Sequence, residues 1–403
     1  MADHDVVVHG ATGFAGFLVA EHLAAHAPAG LRIALGGRSA ARLAEARRRL
    51  GVDWPVIVAD ATDDVALRAL ARSARVVVTT VGPYVQHGHG LVRACAEAGT
   101  HYADLTGEVL FVRRSIDDNH EPARRTGARI VHSCGWDSIP SDLGVHVLHA
   151  AAGAELTDTT LVVTAARGGV SGGTIDTMRR QLDMVRADRA LRRVAADPYA
   201  LSPDRAVEPD LGRQPDLISM PGRTLGLRGT LAPFIMAVHN TRVVRRSNAL
   251  HSYAYGRTFR YREVISTGTS ALSPLLAAGV RAGMAALLAG LLLPPTRFVL
   301  DRLAPRPGSG PSERARRDGH FTMDLFATTR AGTRYRARFR MQGDPGYAAT
   351  AVMLGETALA LAVDTGRLPA SGGGVLTPAT ALGDVLVDRL RAAGAEITAG
   401  PRR

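Results

Sequence analysis

Along the first third of the chain, short β-branched runs alternate with stretches of helical period, the rhythm of alternating strands and helices. Val6-Val7-Val8 opens the series, and Leu31 to Leu35, Val56 to Asp60, Arg75 to Val81, His101 to Asp104 and Arg129 to His132 continue it. Ser39 to Leu50, Asp63 to Arg72 and Gly88 to Ala98 read as the intervening helices. The fold class predicted is α/β, with a doubly wound parallel sheet over about residues 1–150. From about Ala151 the pattern shifts to strands, Gly-rich turns and irregular pieces, which predicts a mixed α/β substrate domain over 151–347. There Leu161 to Ala166 reads as a strand and Gly172 to Arg186 as a helix. Phe321 to Thr328 and Thr333 to Met341 read as a hairpin about Arg330-Ala331-Gly332, and Asp197 to Arg223 as loop. A strongly helical stretch, Ala348 to Val363, and an amphipathic final helix, Ala379 to Ala393, are expected to return to the first domain within 348–403.

The first strand runs directly into Gly10-Ala11-Thr12-Gly13-Phe14-Ala15-Gly16 and then an apolar helix. In a strand–turn–helix unit such spacing fits a dinucleotide pyrophosphate. Gly10 permits the tight turn, Gly13 a close backbone approach, and Gly16 close packing of helix on sheet, with free N–H groups aimed at the anion. Gly10, Ala11, Thr12, Gly13, Phe14 and Gly16 are therefore candidate cofactor-binding residues. The second strand ends in Gly36-Gly37-Arg38-Ser39, where an NAD site carries a carboxylate for the ribose 2′-hydroxyl. Arg38 and Ser39 suit a 2′-phosphate instead, so NADP(H) is the expected cofactor. Asp60, closing the third strand, is placed near the adenine, and Gly82, Pro83 and Tyr84 follow the fourth strand beside the expected nicotinamide. Gly82 to Tyr84, Asp104 to Glu108 and Cys134 to Ser138 should converge beyond the strand ends.

At 403 residues and 46% apolar the chain can hold two cored domains. All 49 basic residues are arginine, which excludes Schiff-base and lysine general-base chemistry. The net charge of +12 is dispersed without a nucleic-acid module, so an acidic partner or anionic membrane surface is expected rather than nucleic acid. Cys95 and Cys134 are too few for a disulfide framework, and the histidine spacings match no zinc pattern, so no metal is expected. The opening residues carry no secretory pattern, and a cytoplasmic setting is expected.

With these residues in view, the chain resembles the saccharopine-dehydrogenase-like oxidoreductases, especially the actinobacterial trans-acting enoyl reductases. The resemblance rests on the glycine-rich turn, Gly82-Pro83-Tyr84 with His87-Gly88, and Gly99 to Glu108. It continues in Gly135-Trp136-Asp137-Ser138-Ile139-Pro140-Ser141-Asp142, Gly173-Thr174, Gly343-Asp344-Pro345-Gly346-Tyr347 and Leu376-Thr377-Pro378-Ala379. It implies an NADP-dependent enzyme that saturates an enoyl thioester carried on an acyl carrier domain of a polyketide synthase, in complex-lipid synthesis, and a homo-oligomer. The alternatives are a saccharopine-type oxidoreductase acting on an amino-acid imine and a non-catalytic NADP(H)-binding redox sensor. Long apolar stretches favour an acyl substrate over a polycarboxylate.

Enoyl reduction needs a hydride at Cβ, polarisation of the thioester oxygen and a proton at Cα. Tyr84, His87 and Asp104 are the candidate catalytic residues. Tyr84 has an alternative as an aromatic lid, and His87 and His101 have alternatives as caps. Asp137 could act as a catalytic carboxylate, but with Ser138 and Pro140 it fits a helix start with a capping Asp or Ser. Cys134 is expected as a buried thiol.

Two further patterns stand outside this chemistry. The apolar stretch 275–293, interrupted by Arg281, is expected either to be buried beside an acyl tunnel or to lie in a membrane interface at the inner face of the plasma membrane. Thr333 to Met341 alternates strictly, placing Arg334, Arg336, Arg338 and Arg340 on one strand face as a candidate docking stripe for an acidic carrier.

Overall fold

The computed structural model describes residues 2–168, 172–292 and 310–402. Its first sheet is parallel throughout, in the order β13-β6-β5-β4-β1-β2-β3. The strands are β1 (His4–His9), β2 (Ile33–Gly37), β3 (Val56–Val58), β4 (Ala74–Thr79), β5 (His101–Asp104), β6 (Arg129–Val131) and β13 (Gly374–Leu376). Val6, Val7, Val8, Val76, Val77 and Val78 are buried on both faces, which is why these runs read as continuously apolar.

The second sheet, in the order β14-β12-β11-β7-β10-β9-β8, is antiparallel except where β7 (Leu156–Arg167) runs parallel to β10 (Arg260–Ser266). The other strands are β8 (Met220–Pro221), β9 (Thr230–Pro233), β11 (His320–Thr329), β12 (Arg334–Gln342) and β14 (Glu396–Pro401). The helix Ile139–Ala152 leaves β6 and lies against this sheet, where a Cβ on Gly144 would stand 2.8 Å from the Leu325 side chain. It is the physical link between the strand ends of the first sheet and the second half. Residues after 347 serve both sheets: the helix Thr350–Val363 packs on β1, β4 and β5, β13 joins the first sheet, and β14 the second.

Arginine organises the irregular stretch after Ala196. The helix Ala237–Leu250 buries Arg242, Arg245 and Arg246, whose guanidinium groups donate to the carbonyls of Ala195 (3.1 Å), Pro198 (3.0 Å) and Leu201 (2.6 Å). Arg242 also pairs with Asp216 at 2.7 Å. A planar fork of donors satisfies several carbonyls at once, which an ammonium on a flexible stem does less well.

Two expectations change. The alternation of β12 is as read, with Ala337, Phe339 and Met341 buried, but Arg336 and Arg338 both pair with the buried Asp324 of β11 at 2.9 Å. They neutralise a carboxylate that would otherwise be buried unpaired, which leaves Arg334 and Arg340 as the exposed members of the stripe.

The helix Ser273–Leu292 is not a core helix: 11% of its apolar window Ser273–Leu291 is buried. Leu275 and Leu276 are exposed by 71% and 52%, whereas Leu291 is buried. The last residue of the apolar stretch, at 293, lies outside the described residues.

The glycine-rich turn gives a direct test of packing. A Cβ on Gly16 would stand 2.2 Å from the Gly10 carbonyl oxygen, a contact only backbone movement relieves, whereas one on Gly279, inside an exposed helix, meets nothing within 4 Å. Gly16→Ala is expected to lower stability by about 1–3 kcal/mol and Gly279→Ala to raise it by about 0.5–1 kcal/mol. Thermal unfolding of both variants checks this.

Candidate functional site

Gly10 has φ +92°, and a Cβ there would meet Thr80 Oγ1 at 2.8 Å and Val81 Cγ2 at 2.9 Å. The turn therefore sits hard against the end of β4. The helix Phe14–His26 starts with no side-chain cap and no acid in its first turn, so its leading amides stay available to an anion. A pyrophosphate fits this cradle. Phe14 is held from outside by Tyr347 (edge contact, 4.8 Å between centroids) and by the Arg316 guanidinium 5.2 Å over its ring.

At the end of β2, Arg38 is exposed and Ser39 caps the helix Ala40–Leu50, its hydroxyl accepting the Arg42 amide at 3.4 Å. The Arg42 guanidinium reaches back over the turn to the Thr12 carbonyl at 3.5 Å. Two arginines, not one, thus lie at the end of β2, where a 2′-phosphate is expected. Arg42 was passed over in the sequence because it looks like one more solvated helix arginine. Asp60 accepts from the Thr62 amide and hydroxyl, and those bonds, with the charges of Arg38 and His87, hold its carboxyl below the usual range. His87 is thus within electrostatic reach of Asp60.

Tyr84 and Asp104 are committed to the frame. The Tyr84 hydroxyl donates to the Thr79 carbonyl and accepts from the Leu105 amide, both at 3.2 Å, and burial raises its pKa well above the ordinary value. That geometry spends the phenol on backbone and supports the packing role over proton donation. The fully buried Asp104 accepts from Tyr102 Oη (2.9 Å), His132 Nδ1 (2.7 Å) and the amides of Thr106 and Ser133 (3.0 Å each). His132 Nε2 meets Ser115 Oγ at 2.8 Å, so the network assigns its proton to Nδ1. Such a carboxylate holds β5 to β6 and is a positioning group. Glu108, also buried, accepts from the amides of Tyr84 (2.9 Å) and Val85 (2.7 Å) and from Thr177 of the helix Gly172–Ala187 at 3.3 Å, so it ties the loop after β4 to the second half. His101 accepts from the Arg129 amide at 3.1 Å, and Cys134 is a buried thiol.

Beyond β6 the backbone is pinned residue by residue. Cys134 N donates to Asp104 O at 2.7 Å, Trp136 N to Thr350 Oγ1 at 3.1 Å, and the Asn240 amide to the Asp137 carbonyl. Ser138 Oγ donates to Asn240 Oδ1 at 2.8 Å. The helix Ile139–Ala152 starts without a side-chain cap, so neither Asp137 nor Ser138 has the capping role expected of them. The half-buried Asp137 carboxyl has no hydrogen bond or ion pair among the described residues, and burial pushes it up to about 6. The preceding residue, Trp136, packs with Phe234 and Phe321 at 6.1 and 5.9 Å from its ring, and the Met236 methyl lies 3.2 Å from where a Gly107 Cβ would be. His239 bonds Ser133 Oγ through Nε2 at 2.8 Å, and burial pulls its pKa down to about 3, so its ring is neutral.

Comparison with known proteins agrees with this geometry. Residues 6–131 match the saccharopine dehydrogenase NADP binding domain, so the cofactor is NADP(H). The trans-acting enoyl reductase of Mycobacterium tuberculosis is 48% identical, over 97% of this chain and 96% of its own length. That of Mycobacterium ulcerans is 45% identical over 98% of each. A second M. tuberculosis protein, to which the same name is attached provisionally, is 51% identical over 98% of this chain and 97% of its own. In fold, the chain is similar to saccharopine dehydrogenase (L-Glu forming) from Saccharomyces cerevisiae, with a TM-score of 0.54, 13% identity and cover of 99% and 100% of the two chains.

Arg38→Asp replaces a phosphate partner with a repelling charge, so it is expected to weaken NADPH binding strongly and leave NADH nearly unchanged. Arg42→Ala should weaken NADPH alone by a smaller factor. Isothermal titration of both nucleotides against both variants checks this, and equal losses for the two nucleotides would remove the 2′-phosphate assignment. Asp104→Ala strips one partner from four donors and is expected to cost about 3–5 kcal/mol in denaturant unfolding.

Proposed function

The chain belongs to the family of the trans-acting enoyl reductases, NADP-dependent oxidoreductases with the saccharopine dehydrogenase fold, and from that premise we propose that it saturates an α,β-unsaturated acyl thioester delivered on the carrier domain of a polyketide synthase. The observation that carries the reading is the apolar character of the residues beyond β5 and β6. Trp136, Phe234, Phe321, Met236 and Leu105 belong to one hydrophobic cluster, and none of these five is a cation. An amino-acid imine with several carboxylates asks for fixed positive charge at the reacting centre, whereas an acyl chain asks for apolar walls. NADPH, when bound, supplies the hydride. The turn from Gly10 to Gly16 holds the pyrophosphate, Arg38 and Arg42 select the 2′-phosphate, and the frame built on Asp104, Glu108 and Tyr84 fixes the loops against which substrate lies.

The second half also supports contact with an anionic membrane surface at the cytoplasmic face. A 20-residue helix, about 30 Å long, is apolar all round apart from Arg281 and lies largely in solvent. An all-round apolar helix belongs in a core or a lipid environment. The helix Gly172–Ala187 touches it, and the next one, Arg189–Ala196, exposes Arg189, Arg192 and Arg193. Basic groups one helix removed from an apolar helix suit acidic headgroups. The surface offered is Leu272, Leu275, Leu276 and Val280, at the start of the helix.

Two measurements follow. The purified protein is expected to oxidise NADPH only when an enoyl thioester is added. Turnover with an imine and not with the thioester would reverse the substrate reading, and tight NADPH binding without turnover on either would favour a sensor. The protein is also expected to float with anionic liposomes and not with neutral ones, and to lose flotation when Leu272, Leu275, Leu276 and Val280 become Ser. Because these side chains are exposed, the variant should stay folded; if it floats like the parent, the membrane contact is elsewhere or absent.

A further inference from the structure

The turn after β6 combines a hydrogen-bonded backbone with two side chains, those of Trp136 and Asp137, that have no hydrogen-bond partner among the described residues. Trp136 N, Asp137 O and Ser138 Oγ are each hydrogen-bonded to Thr350 or Asn240. Asn240 is itself fixed by Glu263 Oε2 at 2.9 Å and Ser141 Oγ at 3.2 Å. Yet the Trp136 indole N–H is buried without a partner, and the adjacent Asp137 carboxyl has none among the described residues. A buried donor left unpaired costs about 1–3 kcal/mol, so folded proteins keep few of them, and those kept ask for a partner the chain itself does not supply. Here the donor and the acid are consecutive residues at the carboxyl end of a sheet strand, where α/β sheets bind their ligands. The Trp136 ring packs edge-on against Phe234 and Phe321, with centroids 6.1 and 5.9 Å away.

Resting on the enoyl-thioester reading above, we propose that Trp136 and Asp137 are the catalytic pair: the indole N–H donates to the thioester oxygen, and the Asp137 carboxylic acid gives its proton to Cα. In electron terms, hydride from NADPH forms the new bond at Cβ, the π pair moves to make an enolate whose oxygen the indole N–H stabilises, and NADP⁺ is left. The enolate then collapses to the carbonyl as Cα takes the proton, and Asp137, now a carboxylate, is reprotonated from water. The backbone pins and the packing of the Trp136 ring on Phe234 and Phe321 limit how far these groups can move, and preorganised donors cost no reorganisation when charge develops. No charged side chain contributes to the Asp137 pKa, and burial alone raises it, which keeps the acid form accessible near neutrality. An acyl chain laid against it would displace water and push in the same direction.

The test uses the full-length protein, NADPH and a short soluble enoyl thioester in D₂O. The unaltered protein should place deuterium at Cα on one face of the product, and its kcat should fall as pH rises through an apparent pKa at or above about 6. Asp137→Asn should lower kcat by about 10²-fold or more, remove that limb, and leave the remaining product deuterated on both faces, because the enolate then takes its proton from solvent. NADPH affinity, read by fluorescence titration, should not move. Trp136→Phe should lower kcat by about 10²-fold while keeping one-face deuteration and the pH limb, since it removes only the oxygen's donor.

Parental kcat or retained one-face deuteration in Asp137→Asn overturns the proton assignment, and parental kcat in Trp136→Phe overturns the donor assignment. Should Asp137→Asn fail to fold, the unaltered enzyme decides, because a flat kcat from about pH 5 to about pH 9 removes the acid. If the unaltered protein reduces no enoyl thioester at all, the substrate reading itself has failed, a result distinct from any of these.

Discussion

Everything at the ligand face of the first sheet hangs on one segment with a buried carboxylate at each end. Asp104 collects four donors from β5, β6 and the loops that follow them, and Glu108 collects two amides from the loop after β4 and a hydroxyl from the second half. An isolated buried carboxylate is intolerable, and one so surrounded becomes a rigid coupling between strand ends. The Tyr84 phenol closes the same circuit by spanning the Thr79 carbonyl and the Leu105 amide. Tyr84 and Asp104, which look like acid–base chemistry in the sequence, are therefore bonded together with Glu108 into the scaffold of the strand ends.

That is also where reading the sequence reached its limit. The parallel sheet was legible because its strands are buried on both faces and its turns are punctuated by glycines whose positions are sterically forced, Gly10 by its positive φ and Gly16 by the Gly10 carbonyl. The choice of NADP(H) was legible from a local fact, Arg38 where a carboxylate would otherwise stand. The roles of Tyr84, Asp104 and Asp137 were not, because each depends on what lies across from it. Asp104 and Asp137 each end a strand pattern in the same way; among the described residues one meets four donors and the other none. The partners that settle the matter, His132 in one case and Asn240 in the other, lie 28 and 103 residues away in the chain.

The second half was less legible for a reason rooted in arginine. The helix Ala237–Leu250 reads as polar, yet Arg242, Arg245 and Arg246 are buried in it, serving carbonyls of a stretch that by composition is loop. β12 shows the converse. Its alternation was read correctly, but two of the arginines on its polar face belong to Asp324 of the neighbouring strand and not to an approaching partner. In a chain whose cations are all guanidinium, positive charge is as often internal wiring as surface potential, and only the position of the acids distinguishes the two.

The exposed apolar helix and the apolar walls of the site are best understood together. A protein gains nothing in stability from leaving Leu272, Leu275 and Leu276 in water, so their exposure points to an environment outside the chain. On the enoyl-thioester reading the site asks for the same kind of environment, and the cluster about Trp136 is aromatic and aliphatic. The helix abuts β9, and Phe234, the residue after that strand, packs on Trp136. The helix is thus joined to the aromatic wall through one short strand, a direct physical connection between the surface a lipid would touch and the place where an acyl chain would react.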